Sequence, residues 1–596
     1  MPENADNKRY QYNRSNRLLR KKFGQYLLPT MITMAAMSLN EFVDSMVVSR
    51  LLGSEGMAIV SLGAPLMLMV AAVFSLLGRG GATVYAFAVG KRDHEEAGRS
   101  FTSSMLAGAL IGIVMMVLGN LFFNNLSGIL CTDPMIKAHF DHYLRVLLLS
   151  VPLLITILIY VDFLPPAGLP GYATAVNVVA NVVNIIMDYV YIRLAGMGVE
   201  GAAWATLTGY ICALIVVIYA ILRKKLKIYV SKNIAASMKN LPEIIKLGAS
   251  DAVTQLGFTL QFAVSNGLAQ SLAGISGVVA YSLCQQSLSV ISIFLSALIG
   301  ASSTIMAILH GQHDYRGQNT ILVMALRSQL VAAIVCTAAF MVFAPQAAAL
   351  YNITEAGQAA MAIRALRVFS ICYLFRSTVI VYFRYLRVLG MAGYATLVSA
   401  LDGFLGIIPV VLILTRFIGV EGIWWAYPVN SALVLAFILI RNRMILARSE
   451  GRYRGIFLRE RDVEVKPVMD ITITKDGEDI VGVSNRLQEI CQENGIDSVN
   501  SMRAALAVEE MAVYASSHKK QDAYMDILVR IFEGNVEIDF RSLGIPFEDL
   551  DETGQDEMEV NMQVLRGVAS NIENEYIMGM NATRITVAGK DAPGEA

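Results

Sequence analysis

Stretches of about twenty mostly apolar residues return again and again through the first 440 or so positions of this chain, and no other feature limits its fold as much. At 1.5 Å rise per residue, roughly twenty such residues let a helix cross ~30 Å of hydrocarbon. Twelve membrane helices are expected, at about 25–49, 57–80, 102–124, 144–164, 172–193, 202–223, 248–272, 277–300, 321–344, 365–388, 395–416 and 423–441. With 55% of its 596 residues hydrophobic and only 16% charged, the chain has the balance of a multi-span membrane protein rather than a soluble one.

A net charge of zero conceals a division. From Asp462 onward 27 acids face 11 bases, which leaves 21 acids and 37 bases before it, so a membrane part of about +16 adjoins a tail of about −16. Such a step marks a domain boundary. The expected parts are a basic N-terminus (1–22), a first lobe (23–223), a loop (224–246), a second lobe (247–445), a linker (446–464) and a soluble tail (465–596). The six cysteines are scattered without a CxxC pair, which suggests neither a disulfide framework nor a zinc site. Lys and Arg concentrate at the N-terminus, at Lys91 and Arg92, in LRKKLK (222–227), at Arg384 and Arg387, and after the last span. Under the positive-inside rule this expects a multi-pass protein of the plasma membrane with both termini cytoplasmic.

The halves echo each other. GYAT at 171–174 returns at 393–396, GMGVEGAAWA (196–205) as FIGVEGIWWA (417–426), and GKRDHEE (90–96) as GQHDYRG (311–317), all offset by 221 or 222 residues. Three matches in register indicate two six-span units entering the membrane in the same direction, with a cleft between parallel lobes. The run LPTMITMAAMSLNEFVDSMVVSRLLG (28–53), with LAGMGVEGAAWATLTG (194–209) and GVEGIWWAYP (419–428), resembles the multidrug and toxic compound extrusion (MATE) family over about residues 20–445. The resemblance implies the V-shaped two-lobe fold and an exporter exchanging organic substrates, small organic cations or amphipathic drugs, for H⁺ or Na⁺.

Intramembrane acids cost roughly 2.5–3.5 kcal/mol on insertion scales unless they find a partner or water. Asn184 and Asp188 lie one helical turn apart within an apolar run, so they share a face. There the Asn carbonyl can accept a hydrogen bond from the protonated acid or help hold a cation, and a dry pocket favours a carboxylic acid's neutral form. Asp44 is the expected partner, since two carboxylates in one dry cavity call for a shared proton or Na⁺. Resemblance to the DinF-type branch assigns the coupling site to Asp44, Asn184, Asp188 and Thr206, with Asp44, Asn184 and Asp188 as metal ligands if Na⁺ is the ion. The competing reading is that Asn184 and Asp188 only staple helices together.

Other polar groups carry two readings each. Glu41 either lines the same cavity or sits at the water interface, and Asn181 extends the polar face. Asp402 falls where the first repeat has Ala180, on a substrate path or as a solvated acid. Asp162 and Arg384 occupy equivalent repeat positions, as a gating pair or as separate snorkelling groups. Asp251 is expected as a helix N-terminal acid beside a basic loop. Gln255 and Gln261 either contact substrate or pack.

The tail reads as a soluble α+β sandwich, by its alternating strands and two amphipathic helices. ALAVEEMAVYASSH and RSLGIPFEDL resemble the ATP-binding fold of histidine kinases and anti-sigma-factor kinases. Tyr514 stands where that family keeps a metal-binding Asn, and Ser542 where it keeps the adenine-binding Asp. The expectation is a degenerate module without ATP binding or enzymatic activity, kept for a regulatory protein partner. In that module Glu509, Glu510, Gly544, Pro546 and Phe547 maintain the fold.

The leading expectation is therefore an ion-coupled exporter, with no cofactor beyond the coupling ion, no nucleic-acid partner and lipid as its surroundings. A flippase for a lipid-linked or endogenous metabolite ranks second, because the sequence shows few central bases. A membrane receptor or scaffold signalling through its tail ranks third.

Overall fold

The computed structural model describes residues 14–131, 133–222, 228–350, 355–461, 467–474, 478–517, 524–532, 534–544, 546–547 and 558–588, giving backbone alone at 39–49, 53–55, 57–58, 350, 474, 478–479, 517 and 558–560. It divides into two compact units. One comprises residues 25–449 and 454–459, the other residues up to 24, 450–453 and 460 onward.

The larger unit is helical. Among the described residues, ten helices are long and apolar enough to cross a membrane. Leu241–Gly311, 71 residues long, covers two of the expected spans and is broken at Gly274, whose φ of 57° and ψ of −141° lie outside the helical region. Arg17–Leu62 covers the first expected span and carries Pro29 inside it. The ring of Pro29 removes a backbone donor. Hydroxyls gather there: Thr33 and Thr174 both donate to the Pro29 carbonyl, at 3.0 and 2.9 Å. Helix starts follow local chemistry. Pro134 and Pro170 open their helices at positions where the N–H is not needed, and Asp93 and Asp133 cap theirs by accepting from Glu96 and Met135 N–H.

The repeat reappears in backbone detail. Gly198 and Gly419 each adopt φ 62°, and Arg92 and His313 end their helices at φ 62° and 55°. Behind these turns Asp93 accepts from Glu96 N–H and Asp314 from Gly317 N–H, both at 2.8 Å. The lobes meet where equivalent glycines face each other. A methyl group on Gly90 would lie 2.2 Å from the Ile308 carbonyl oxygen, and one on Gly311 2.2 Å from that of Phe87. Gly248 likewise lies against Leu76, where a methyl group would come 1.9 Å from the carbonyl oxygen. Only a missing side chain permits backbones to approach this closely.

The smaller unit contains a five-stranded antiparallel sheet: β1 (Pro467–Thr474), β2 (Tyr524–Phe532), β3 (Asn535–Leu543), β4 (Asn571–Ile577) and β5 (Met580–Val587), in the order β1-β2-β3-β5-β4. Ile471, Ile527, Ile538 and Ile585 on one face join Leu487, Val508 and Leu565 from the helices Glu478–Glu493, Ser498–Ser517 and Met558–Val568 in a single core. The other face is ionic. Arg14 reaches Asp470 at 3.5 Å and Asp526 at 3.4 Å, while Asp539 binds Arg530 at 2.8 Å and its cross-strand partner Arg584 at 2.9 Å. The segment from 14 to 22 belongs to this unit: Ser15 N–H donates to Thr472 Oγ1 at 2.8 Å, and Lys22 Nζ to the Gly579 carbonyl at 2.6 Å.

Candidate functional site

Among the described residues, three π-helical segments interrupt the membrane helices, and each adjoins an ionisable residue. Ser75–Arg79 ends on Arg79, Tyr189–Leu194 follows Asp188, and Leu401–Leu405 contains Asp402. A π turn adds a residue to the ladder, redirects the side chains around it and is common at functional sites.

The first site lies inside the first lobe. Asp188 is wholly buried, and Asn184 is buried one turn before it. Asn184 Nδ2 donates to Thr206 Oγ1 at 3.4 Å, and that hydroxyl donates to the Ala202 carbonyl at 3.1 Å. The helices Pro170–Asp188 and Val199–Leu222 close on each other because Gly209 faces Asn184; a methyl group there would stand 2.5 Å from the Ala180 carbonyl oxygen. Asn184 and Asp188 are thus buried within the first lobe, with the half-buried Thr206 hydrogen-bonded to Asn184. The side chains of Asp44 and Glu41 lie outside the described residues. Asn181 is only half-buried, and its Nδ2 has no hydrogen-bond partner.

The second site is a cavity of about 630 Å³ between the lobes. Its walls include Thr30, Phe74, Arg79 and Asp162 from the first lobe and Gln255, Phe258, Arg376, Arg384, Arg387 and Asp402 from the second. Asp402 is buried at 7% exposure, with Arg376 Nε 3.2 Å from its Oδ2, so it is not a solvated acid. Gln255 lines the cavity, whereas Gln261 is buried elsewhere and neither atom of its amide has a partner.

Asp251 corrects the reading of it as a helix N-terminal acid. It lies inside Leu241–Gly311, 1% exposed, and holds three guanidinium groups: Arg387 on Oδ2, Arg384 at 2.8 Å and, from the other lobe, Arg79 at 3.3 Å on Oδ1. Its position in the sequence concealed this, because two of its three partners, Arg387 and Arg79, lie 136 and 172 residues away and Arg384 comes just before Arg387. Nor do Asp162 and Arg384 snorkel separately: Arg384 binds Asp251, and Asp162 Oδ2 is buried against Gly78, where a methyl group would stand 2.7 Å from it.

Four central arginines also overturn the expectation of few central bases. The signal was present in the sequence, since Arg376, Arg384 and Arg387 recur on one face of a helix flanked by apolar residues, and an intramembrane Arg is costly unless it serves a cavity.

Residues 29–190 match the MatE family model. The probable multidrug resistance protein YoeA of Bacillus subtilis (strain 168) is 22% identical over 69% of this chain and 91% of its own length. The multidrug export protein MepA of Staphylococcus aureus (strain MRSA252) is 22% identical over 72% of this chain and 96% of its own. Among solved structures, an outward-facing multidrug resistance MATE transporter of the MOP superfamily superposes with a TM-score of 0.67 at 20% identity, covering 72% of this chain and 96% of that one. A MOP-superfamily transporter from Pyrococcus furiosus, described as having a binding pocket of reversed polarity, gives 0.66 at 20% identity with the same coverage. The first lobe thus matches the MatE family model over residues 29–190, and the membrane unit has the fold of the solved MATE transporters.

Proposed function

We propose that the chain is a secondary transporter that exports drug-like amphipathic substrates by antiport with H⁺ or Na⁺ across the plasma membrane, both termini being cytoplasmic. In this reading Arg17–Leu62 supplies the first span and Leu241–Gly311 two, giving twelve in two parallel six-helix lobes. The carrying observation is a separation: Asp188, Asn184 and Thr206 are gathered inside one lobe, and none of the three lines the central cavity. An acid buried away from both lipid and substrate is favoured in its neutral form or with a cation beside it. Ion occupancy can then shift the conformation of the first lobe, and with it the cavity, without the ion competing for the substrate's contacts. Asp44 completes the site, as ligand or as second carboxylate.

The relatives named as multidrug export and resistance proteins support the substrate class. Glycine contacts and the Arg79 to Asp251 pair join the lobes near the end bearing Lys91 and Arg92, and the basic character of that loop supports a state closed to the cytoplasm. The tail is read as a degenerate ATPase-type module that binds a regulatory protein. Tyr514, at the family's metal-ligand position, packs edge-on against Phe547 with ring centroids 5.2 Å apart, which supports a filled site.

Reconstituted protein, driven separately by H⁺ and Na⁺ gradients, tests the coupling. Flux should follow one gradient and vanish in Asp188→Asn. Undiminished gradient-driven flux in that variant rejects the assignment.

A further inference from the structure

The central cavity is unusual in its charge balance. Arg79, Arg376, Arg384 and Arg387 line it, while the acids in or behind its wall are Asp162, Asp251 and Asp402. Among the described residues, four guanidinium groups against three carboxylates leave one positive charge over even with every acid ionised, and protonating any acid increases the surplus. Two of the acids are also engaged: Asp251 is shared among three arginines and Asp402 lies against Arg376, while Asp162 lines the cavity with one oxygen buried against Gly78 and without a hydrogen-bond partner.

The arginines keep donors to spare. The Nε groups of Arg376, Arg384 and Arg387 are buried without a hydrogen-bond acceptor; that of Arg376 is near Asp402 but is not directed at it. Arg376 and Arg387 are themselves 5% and 3% exposed. Buried guanidinium donors without acceptors are costly, and a planar fork of this kind fits an oxyanion. Around them Phe74, Phe258, Leu288 and Leu295 form apolar and aromatic parts of the wall, beside hydroxyls such as those of Thr30, Ser289 and Ser292. An organic cation entering here would add charge to a surplus of the same sign in a site of low dielectric.

Resting on the transporter reading above, we propose that the central cavity accepts an amphiphile bearing an oxyanion, a carboxylate, sulfonate or phosphate, with Arg376 as the residue that selects it and Arg384 and Arg387 as the supporting charge. Asp402 is then a specificity residue: it moderates Arg376 so that the site releases its anion.

Equilibrium binding to the purified full chain, read by fluorescence polarisation, tests this with fluorescein and rhodamine 6G, which share a xanthene core and carry opposite charge at pH 7.5. Fluorescein should bind at least about tenfold more tightly, the factor expected for one charge-assisted hydrogen bond. Arg376→Gln should weaken fluorescein about tenfold, Arg376→Lys less, and Asp402→Asn should tighten it. Because Arg376→Gln strands Asp402, the double variant with Asp402→Asn serves as a neutral replacement and should still bind fluorescein more weakly than wild type. Tighter binding of rhodamine 6G, unaltered fluorescein affinity in the double variant, or weaker fluorescein binding in Asp402→Asn would each overturn the proposal.

Displacement of fluorescein by octyl phosphate and by dioctanoyl phosphatidic acid separates the sources. Equal displacement indicates a free anionic amphiphile, preference for phosphatidic acid a lipid headgroup, and displacement by neither rejects oxyanion recognition. The binding needs no gradient, so its outcome stands apart from the flux assay. Anion binding without coupled flux defeats only the transporter reading, and rhodamine flux without fluorescein binding defeats only this one.

Discussion

The two lobes share a frame and differ in what they put inside it. Gly198 and Gly419 turn identically, and Asp93 and Asp314 cap identically. At the offset of the repeat, however, Asp188 faces Val410, Thr206 faces Tyr427, and Ala180 faces Asp402. Even a shared contact is inverted. In the first lobe Asn184 meets Gly209; at the equivalent places in the second, Gly406 meets Asn430, where a methyl group would stand 2.4 Å from the Asn430 Oδ1. Turning the amide over changes its partner: Asn184 bonds a hydroxyl beside a buried acid, while Asn430 donates at 3.3 Å to the Leu401 carbonyl in the π turn that carries Asp402. One scaffold thus offers a carboxylate pocket in one half and a guanidinium-lined wall in the other, because a few helix-facing positions exchange small and polar residues.

The strongest way to break this comparison is to neutralise each lobe's acid in turn. Asp188→Asn should reduce gradient-driven flux by about 100-fold or more, whereas Asp402→Asn should retain ion dependence and alter substrate affinity; equal effects would erase the division of labour. Next is the latch. Asp251→Asn leaves three guanidinium groups around a neutral amide, a loss of about 3–5 kcal/mol if the buried cluster behaves like other broken ion pairs, visible as a lower thermal midpoint of the purified chain. The glycine seam should respond less: Gly90→Ala forces the Ile308 carbonyl away at a cost of about 1–3 kcal/mol and should lower the same midpoint.

The soluble unit supplies the smallest effect. Burial pushes Asp526 up to about 6 despite Arg14 and Thr472 beside it. A folded acid with a raised pKa favours the folded state at low pH, and the benefit fades as pH rises through about 6. Asp539 behaves oppositely: burial would raise it, but Arg584 and Arg530 outweigh burial and hold it down to about 2, so its contribution persists until strong acid. Hydrogen-exchange protection of β2, corrected for intrinsic rates, should therefore fall from pH 4 to 6.5 in the full chain by on the order of 1–3 kcal/mol, and Asp526→Asn should flatten the change.

What the sequence made legible was local. The apolar runs and the repeated GYAT and GVEG stretches each announce themselves within a few residues. So did Asn184 with Asp188, whose spacing places them on one face. What stayed hidden depends on contacts across the lobes. Asp251 reads as a helix-terminal acid until Arg79, from the other half, is brought against it. Gly274 gives no sign that it interrupts a 71-residue helix rather than lying in a loop. Arg376 stands in an apolar run with no local partner, and its role emerges only when Asp402 and the cavity surround it.

Residues 14–22 are synthesised well before the strands they bind, since their hydrogen bonds go to Thr472 and Gly579, 457 and 557 positions downstream. The soluble body can be finished only after its final strand has been synthesised, and until then its opening segment waits unfilled at the start of the chain. Trimming that segment should therefore damage a structure encoded 457 or more residues downstream, a hazard for any labelling strategy that treats residues 14–22 as spare.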